Sequence, residues 1–482
     1  MRNRKRTIVN IITSGGQVAL IGVIYYFLYK YLLDELGVEL LGVWSVVMST
    51  SSIANIADLG IATSMVRFVA LYDHRKNLAR IPQLIFTGFM FNIVIFIPSC
   101  LIIWPIAYFA LGNVVEIEYV SLARQLLPFS LLCVLLNSLS GVYGSLLDGF
   151  RQNYIRNSIF TFSSFVFLLL AIWSVKQFGL IGIVWAQVFQ SFLSLVLCIF
   201  FAIRVIQFNP FRWAWSKRIF KEIFNYGIKF QLTSITGILN EPVTKMLMSK
   251  FGGLAFTGYF EMANKLIMQI RGVVVSANQS LMPLLVKENE RSQGNQKRFS
   301  MLSLSFVGVF VVSLFFLSLV NILGSCISMI WIGYDEKIFI DVLLFISLSM
   351  FINLLSAPSY FYLLSVNRLN PIIVSQFLMA IINLVIGYIF GTFFGGYGIV
   401  FSWMIVVIFG SWFLIKSLGF TNAFRVLLTC KYYAFLFLLL NVVCIVISKK
   451  LPGLMYWCFV INLFGSVLIM MAFYKRNKRL FY

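Results

Sequence analysis

The chain has 482 residues, of which 60% are hydrophobic and only 11% charged. A soluble domain carries roughly 25% charged residues, so this chain has too little charge to solvate a globular surface, and its excess apolar surface is expected to face lipid. The net charge of +22, from 38 Lys and Arg against 16 Asp and Glu, would point to nucleic acid in a soluble protein. In a membrane protein it is read first as positive loops on the cytoplasmic side.

A bilayer-crossing helix needs about 20 largely apolar residues. In chain order, uncharged runs place spans at Thr7 to Tyr29, Ile81 to Val115, Gln125 to Leu147, Asn157 to Val175, Gln177 to Ile203, Phe299 to Tyr334, Val342 to Asn367 and Leu451 to Tyr474. Leu369 to Ile415 is too long for one crossing and is expected to break at Gly395-Gly396, and Tyr432 to Ser448 suffices if tilted. Three charge-bearing spans complete fourteen: residues 40–64, 223–249 and 254–286. Arg2, Arg4, Lys5 and Arg6 before the first span resemble a signal-peptide start. The run is too long and no small-residue cleavage site follows at Tyr31 to Asp34, so the span is read as retained. Alternate loops hold 27 Lys and Arg on one side, including both termini, and 6 on the other, which places both termini in the cytoplasm.

Other signals are weak. The cysteines lie in or beside spans without a CxxC pair, and His74, the single histidine, lies in a loop, so metal and triad chemistry have no support. No GxxxxGK[ST] motif appears, and no loop is long enough for a soluble catalytic domain.

An internal repeat stands out. Gly37-x4-Gly42 recurs as Gly253-x4-Gly258, and Gly179-x2-Gly182-Ile183-Val184 as Gly395-x2-Gly398-Ile399-Val400, both at an offset of 216. Tyr143-x2-Leu146-Leu147-x3-Arg151-x-Asn153 recurs as Tyr360-x2-Leu363-Leu364-x3-Arg368-x-Asn370 at 217. Six spans per repeat is an even number, so both copies share one orientation and a pseudo-twofold along the membrane normal. The expected fold is all-α: an N-lobe over 1–206, a cytoplasmic interfacial linker over 207–222, a C-lobe over 223–420, and two C-terminal helices with a basic tail over 421–482. The linker interleaves Phe208, Phe211, Trp213 and Trp215 with Arg212, Lys217, Arg218 and Lys221, a pattern read as interfacial rather than RNA-binding.

An ionisable side chain in hydrocarbon costs at least about 2.5 kcal/mol and normally faces a cavity or a partner. The intramembrane charges are Asp58, Arg124, Lys229, Glu241, Lys245, Glu261, Lys265 and Arg271, six of them on the seventh and eighth spans. Glu241 with Lys245 and Glu261 with Lys265 stand at the i,i+4 spacing of an ion pair, so self-neutralisation competes with a cationic cavity between the lobes. The cavity is preferred because Arg124, Lys229 and Arg271 remain after pairing. Lys229 lies near the cytoplasmic end and also reads as a loop flank. Asp58 is a candidate for Na⁺ or proton binding, or for an interhelical hydrogen bond. Pro98, Pro105, Pro128, Pro242, Pro283 and Pro358 predict kinks, and Pro242, inside the charged cluster, is assigned to gating.

Leu36-Gly37 to Gly42-Val43-Trp44, then Ile56-Ala57-Asp58-Leu59-Gly60-Ile61 and Arg67-Phe68-Val69-Ala70, resemble the N-terminal signature of bacterial polysaccharide-repeat flippases of the Wzx type, which share a superfamily with MATE exporters and lipid II flippases. The resemblance extends over the whole chain through the span count and the two lobes. It implies a non-enzymatic flippase of the bacterial inner membrane, moving undecaprenyl-pyrophosphate-linked oligosaccharide repeat units by alternating access for O-antigen, capsule or exopolysaccharide. It also implies partners in the lipid-linked substrate, membrane lipid, and a polysaccharide polymerase with its chain-length regulator, and no cofactor beyond a coupling Na⁺ or H⁺. From the motif come only Asp58 and Arg67. With the charge argument, the expected substrate-binding set is Arg67, Arg124, Lys245, Lys265 and Arg271, and the coupling and gating set is Asp58, Glu241, Glu261 and Pro242. A MATE-like exporter of small organic cations is the alternative, disfavoured by four cations against two carboxylates on the seventh and eighth spans. A membrane-embedded glycosyltransferase or polymerase lacks the large acidic or histidine-bearing loops it would need.

Overall fold

The computed structural model describes residues 2–74, 78–206, 214–279, 295–366 and 368–417, with positions 439, 441–447, 457–465 and 468 beyond them. Among these residues the chain is helical, with no strand. In order it forms α1 (Arg2–Ser52), a 3₁₀ turn (Ile53–Asp58), α2 (Ile61–His74), α3 (Ile81–Val114), α4 (Ile117–Gly149), α5 (Asn153–Ile206) and α6 (Lys217–Gln279). There follow α7 (Asn295–Ile322), α8 (Gly324–Trp331), α9 (Lys337–Leu355), α10 (Ala357–Ser365) and α11 (Asn370–Ser417).

At 1.5 Å per residue, α5, with its 54 residues, would be about 80 Å long if straight, more than twice the hydrocarbon thickness. It turns back at Gly179 instead, where φ is +55° and ψ −136°. The fold-back is direct: the Ser174 hydroxyl donates to the Gly182 carbonyl at 2.9 Å, eight residues on. α1, α6 and α11 are likewise two spans each, joined at Gly37, Gly253 and Gly395. The expected break at Gly395 is therefore observed.

The sequence repeat is repeated in the backbone. Gly37 and Gly253 share φ of +82° with ψ of 170° and 168°, and Gly179 and Gly395 share φ of +55° and +60° with ψ of −136° and −141°. Positive φ is open to glycine at little cost, which accounts for the first glycine of each motif. The second glycine allows close approach. A Cβ on Gly182 would lie 2.4 Å from the Ser174 carbonyl oxygen, and one on Gly398 would lie 2.0 Å from that of Phe390, the position 216 residues after Ser174. A Cβ on Gly42 would lie 2.1 Å from the Leu254 oxygen, and one on Gly258 would lie 2.4 Å from the Val38 oxygen. Position 42 thus meets 254, the repeat counterpart of 38, and position 38 meets 258, the repeat counterpart of 42, reciprocally.

Packing divides the chain into two compact units, residues 1–258 and 259–482. The seventh span belongs to the first unit: Gly227 fits against the Leu59 oxygen, Ser249 Oγ donates to the Val114 oxygen at 2.8 Å, and Leu254 N–H donates to Glu116 Oε1 at 3.3 Å. α6 begins at Lys217, within the segment expected as the linker. Trp215 is exposed with its ring 5.6 Å from that of Phe220, which meets Phe91 edge-on at 4.7 Å between ring centres, while Phe208, Phe211 and Trp213 lie outside the described residues. In the second unit Asn441 and Asn462 hydrogen-bond to each other, joining the described parts of the two C-terminal helices beside buried Cys444 and Cys458.

Three expected spans break where the sequence reads as regular or merely kinked, the ninth span among them, at Leu323 between α7 and α8. The second span is α-helical only to Ser52, becomes a 3₁₀ turn ending at Asp58, then places Leu59 (φ +45°) and Gly60 (φ +67°) in the left-handed region before α2. The tenth span stops at Leu355 and restarts at Ala357-Pro358. Of the described prolines, only Pro358 accompanies a break. Pro98, Pro105, Pro128 and Pro242 lie within continuing helix, as lone prolines in membrane helices often do when neighbouring groups satisfy the freed carbonyl. Pro283 lies outside the described residues.

Candidate functional site

Within the first unit, Asp58 is half-buried at the end of the 3₁₀ turn. A left-handed residue other than glycine costs about 1–3 kcal/mol, and Leu59 is one. The seventh span holds the distorted turn in place. Gln231 Nε2 donates to the Asn55 and Ile56 oxygens at 3.2 and 3.3 Å, and Ser64 Oγ donates to the Ile223 oxygen at 3.2 Å. Gly60 and Gly227 meet so closely that a Cβ on Gly60 would lie 2.6 Å from the Gly227 oxygen. The carboxylate therefore sits at a helix discontinuity whose released carbonyls are taken up by a neighbouring side chain.

Arg67 does not join Asp58. It is exposed on α2, with its guanidinium carbon 4.1 Å from the centre of the Tyr226 ring. Arg124 lies against α3. Its Nε donates to the Tyr108 oxygen at 3.2 Å, its guanidinium covers the Tyr108 ring at 4.1 Å, and Gly112 leaves room for one of its terminal nitrogens. Tyr108 is itself among the exposed apolar residues, so this contact has the character of a cation held over an interfacial aromatic.

Both expected ion pairs form. Lys245 Nζ is 2.7 Å from Glu241 Oε1, with the lysine buried and the glutamate exposed. In the second unit Lys265 Nζ is 3.5 Å from Glu261 Oε1, and here the glutamate is the buried member. Each lysine's charge is thus met by the glutamate one turn earlier. The Lys229 side chain lies outside the described residues.

Arg271 is different. It is half-buried, and no carboxylate pairs with it among the described residues. Its Nε donates to Asn353 Oδ1 at 3.3 Å, and Asn353 Nδ2 donates to Ser411 Oγ at 3.2 Å. Asn353 lies in the last turn of α9, and Tyr360, across the break on α10, is near enough to interact electrostatically with the guanidinium. An unpaired guanidinium in a membrane segment, at a helix break and beside hydroxyl and amide groups, can bind an oxyanion.

Gln231, Asn353, Ser411 and the half-buried Asp148–Arg156 ion pair between the end of α4 and the start of α5 carry no distinct mark in the sequence. For Asn353 and Ser411 the only signal was an amide and a hydroxyl in otherwise apolar runs, close to Pro358 in one case.

The family model described as polysaccharide biosynthesis protein matches residues 5–289. A search of curated proteins finds no match. Among solved structures, the lipid II flippase MurJ in an inward closed conformation superposes with a TM-score of 0.72 at 14% identity, covering 98% of this chain and 99% of that one. An inward-facing multidrug resistance MATE transporter of the MOP superfamily gives 0.66 at 14% identity, over 86% and 98%. A MOP superfamily transporter from Pyrococcus furiosus gives 0.58 at 15%, over 86% and 95%. These likenesses establish the fold as that of the MOP superfamily, and the chain is a multi-pass membrane protein. With more than half of its length matched by the family model, the chain belongs to the polysaccharide biosynthesis protein family.

Proposed function

We propose that the protein is a flippase for undecaprenyl-pyrophosphate-linked oligosaccharide repeat units, moving them across the bacterial inner membrane by alternating access, with both termini in the cytoplasm. The observation that carries the reading is Arg271. Once Lys245 and Lys265 are set against their own glutamates, this guanidinium remains as a positive charge without a carboxylate among the described residues. A cation exporter needs the opposite sign in its binding region, whereas a pyrophosphate-bearing substrate needs this one. Membership of the polysaccharide biosynthesis family supports the same choice. In this reading Arg271, Lys265 and Lys245 attract the substrate's phosphates, Arg67 and Arg124 contribute at the ends of the path, Asp58, Glu241 and Glu261 respond to a coupling Na⁺ or proton, and Pro242 bends with gating. The protein performs no covalent chemistry, and a polymerase with its chain-length regulator receives the product.

Deletion of the gene is expected to abolish the surface polysaccharide and to leave lipid-linked repeat units on the cytoplasmic leaflet, with wild-type protein restoring export. Normal polymer in a deletion strain lacking any paralogue would overturn the proposal. Extrusion of a small organic cation by the purified protein in proteoliposomes would favour the MATE-like alternative.

A further inference from the structure

We infer that Asn353, held by Ser411, is a positioning residue that aims Arg271 at the phosphate oxygens of the substrate; the inference rests on the pyrophosphate reading above. Arginine binds a tetrahedral oxyanion through two adjacent N–H groups, either the edge formed by Nε and one Nη or the edge formed by both Nη atoms. Here Nε is already committed to Asn353 Oδ1. The edge made by the two Nη atoms remains: neither has a hydrogen-bond partner among the described residues, and neither is a buried, unsatisfied atom. The guanidinium is thus fixed at one end and open at the other.

The direction of the amide follows from the same groups. Nε can only donate, so the atom facing it must be the amide oxygen. The amide nitrogen then faces Ser411, whose hydroxyl accepts. Three helices converge in this way on one side chain: α6 supplies Arg271, α9 supplies Asn353 and α11 supplies Ser411. The break after Leu355 completes the arrangement. Ser356 N–H and Oγ both donate to the Asn353 oxygen, at 3.0 and 2.7 Å, and the chain turns there before Pro358. Asn353 is therefore held through its backbone as well as its side chain, on a helix end that does not continue.

The test uses the purified full-length protein in detergent, with binding followed by calorimetry for inorganic pyrophosphate and for farnesyl pyrophosphate. Asn353→Ala is expected to weaken both ligands about 10-fold in the wild-type background. In an Arg271→Lys background, where a point charge has no edge to aim, the same change should cost less than about 2-fold. Asn353→Asp, of the same shape, should weaken binding at least as much as Asn353→Ala, because its carboxylate neutralises the guanidinium. Equal effects of Asn353→Ala in both backgrounds, or wild-type binding by Asn353→Asp, would overturn the positioning role and leave packing alone. If Arg271→Met binds pyrophosphate normally, the anion assignment fails instead. If farnesyl pyrophosphate binds no tighter than the inorganic anion, the lipid-linked reading fails and the positioning role stands.

Discussion

In one of the two ion pairs the lysine is buried, and in the other it is the glutamate. A buried charge left without its partner is costly, whereas an exposed member can be solvated. Lys265 is the more open member of its pair and, with Arg271, the cation best placed to meet a ligand. Lys265→Ala and Arg271→Ala are each expected to abolish export with protein level unchanged, as measured by polymer on gels and by immunoblot. Full complementation by both would show that these charges only pack or pair. The pairs were legible in the sequence because i,i+4 spacing on a helix is local. The Arg271 network was not, since its members stand 82 and 58 residues apart and Asn and Ser occur throughout these helices.

The breaks in the second and tenth spans are not equivalent. In the first half the second span breaks before α2, while its counterpart in α6 runs on to Gln279; in the second half the tenth span breaks after Leu355, while α4 is continuous. A carboxylate, Asp58, stands at the first break, and beside the tenth-span break Asn353 holds the guanidinium of Arg271. Such discontinuities mark ligand and ion sites in transporters built from repeats. Gly60→Ala would put a Cβ at positive φ and 2.6 Å from the Gly227 oxygen. A loss of about 1–3 kcal/mol is expected, read as a lower melting temperature in detergent. Gly227→Ala would place its Cβ 2.4 Å from the Leu59 oxygen at the same crossing, so once one change has pushed the segments apart the double variant should lose less than the sum of the two singles. Gly308, where an added methyl group would meet open space, is the control: its change to Ala in a helix should be neutral or stabilising. The break before α2 was hidden in the sequence because Ile-Ala-Asp-Leu-Gly-Ile continues an apolar pattern, and the groups that hold it, Gly227 and Gln231, lie about 170 positions away.

For the whole molecule, the apolar spans, the hairpin turn at Gly395 and the repeat could be read from the sequence because lipid solvation demands long apolar runs and a run too long for one crossing must break. The packing boundary at 258 could not, because it depends on the seventh span fitting against the first unit through Gly227, Ser249 and Leu254. The distribution of Lys and Arg makes the remaining prediction. Alkaline phosphatase fused after residue 36 or 336 should be active, and after residue 151 or 216 inactive. The reverse pattern would invert the topology.

The crossing of Gly42 with Leu254 and of Gly258 with Val38 has the form of a homodimer axis, where residue i of one copy meets j of the other and j meets i. In a true dimer one codon would set both contacts, and any mutation there would appear twice. In this single chain the two positions are separate codons that still share one steric limit. A side chain added at Gly42 meets the Leu254 backbone and one added at Gly258 meets the Val38 backbone, so a change at either codon strains the same crossing.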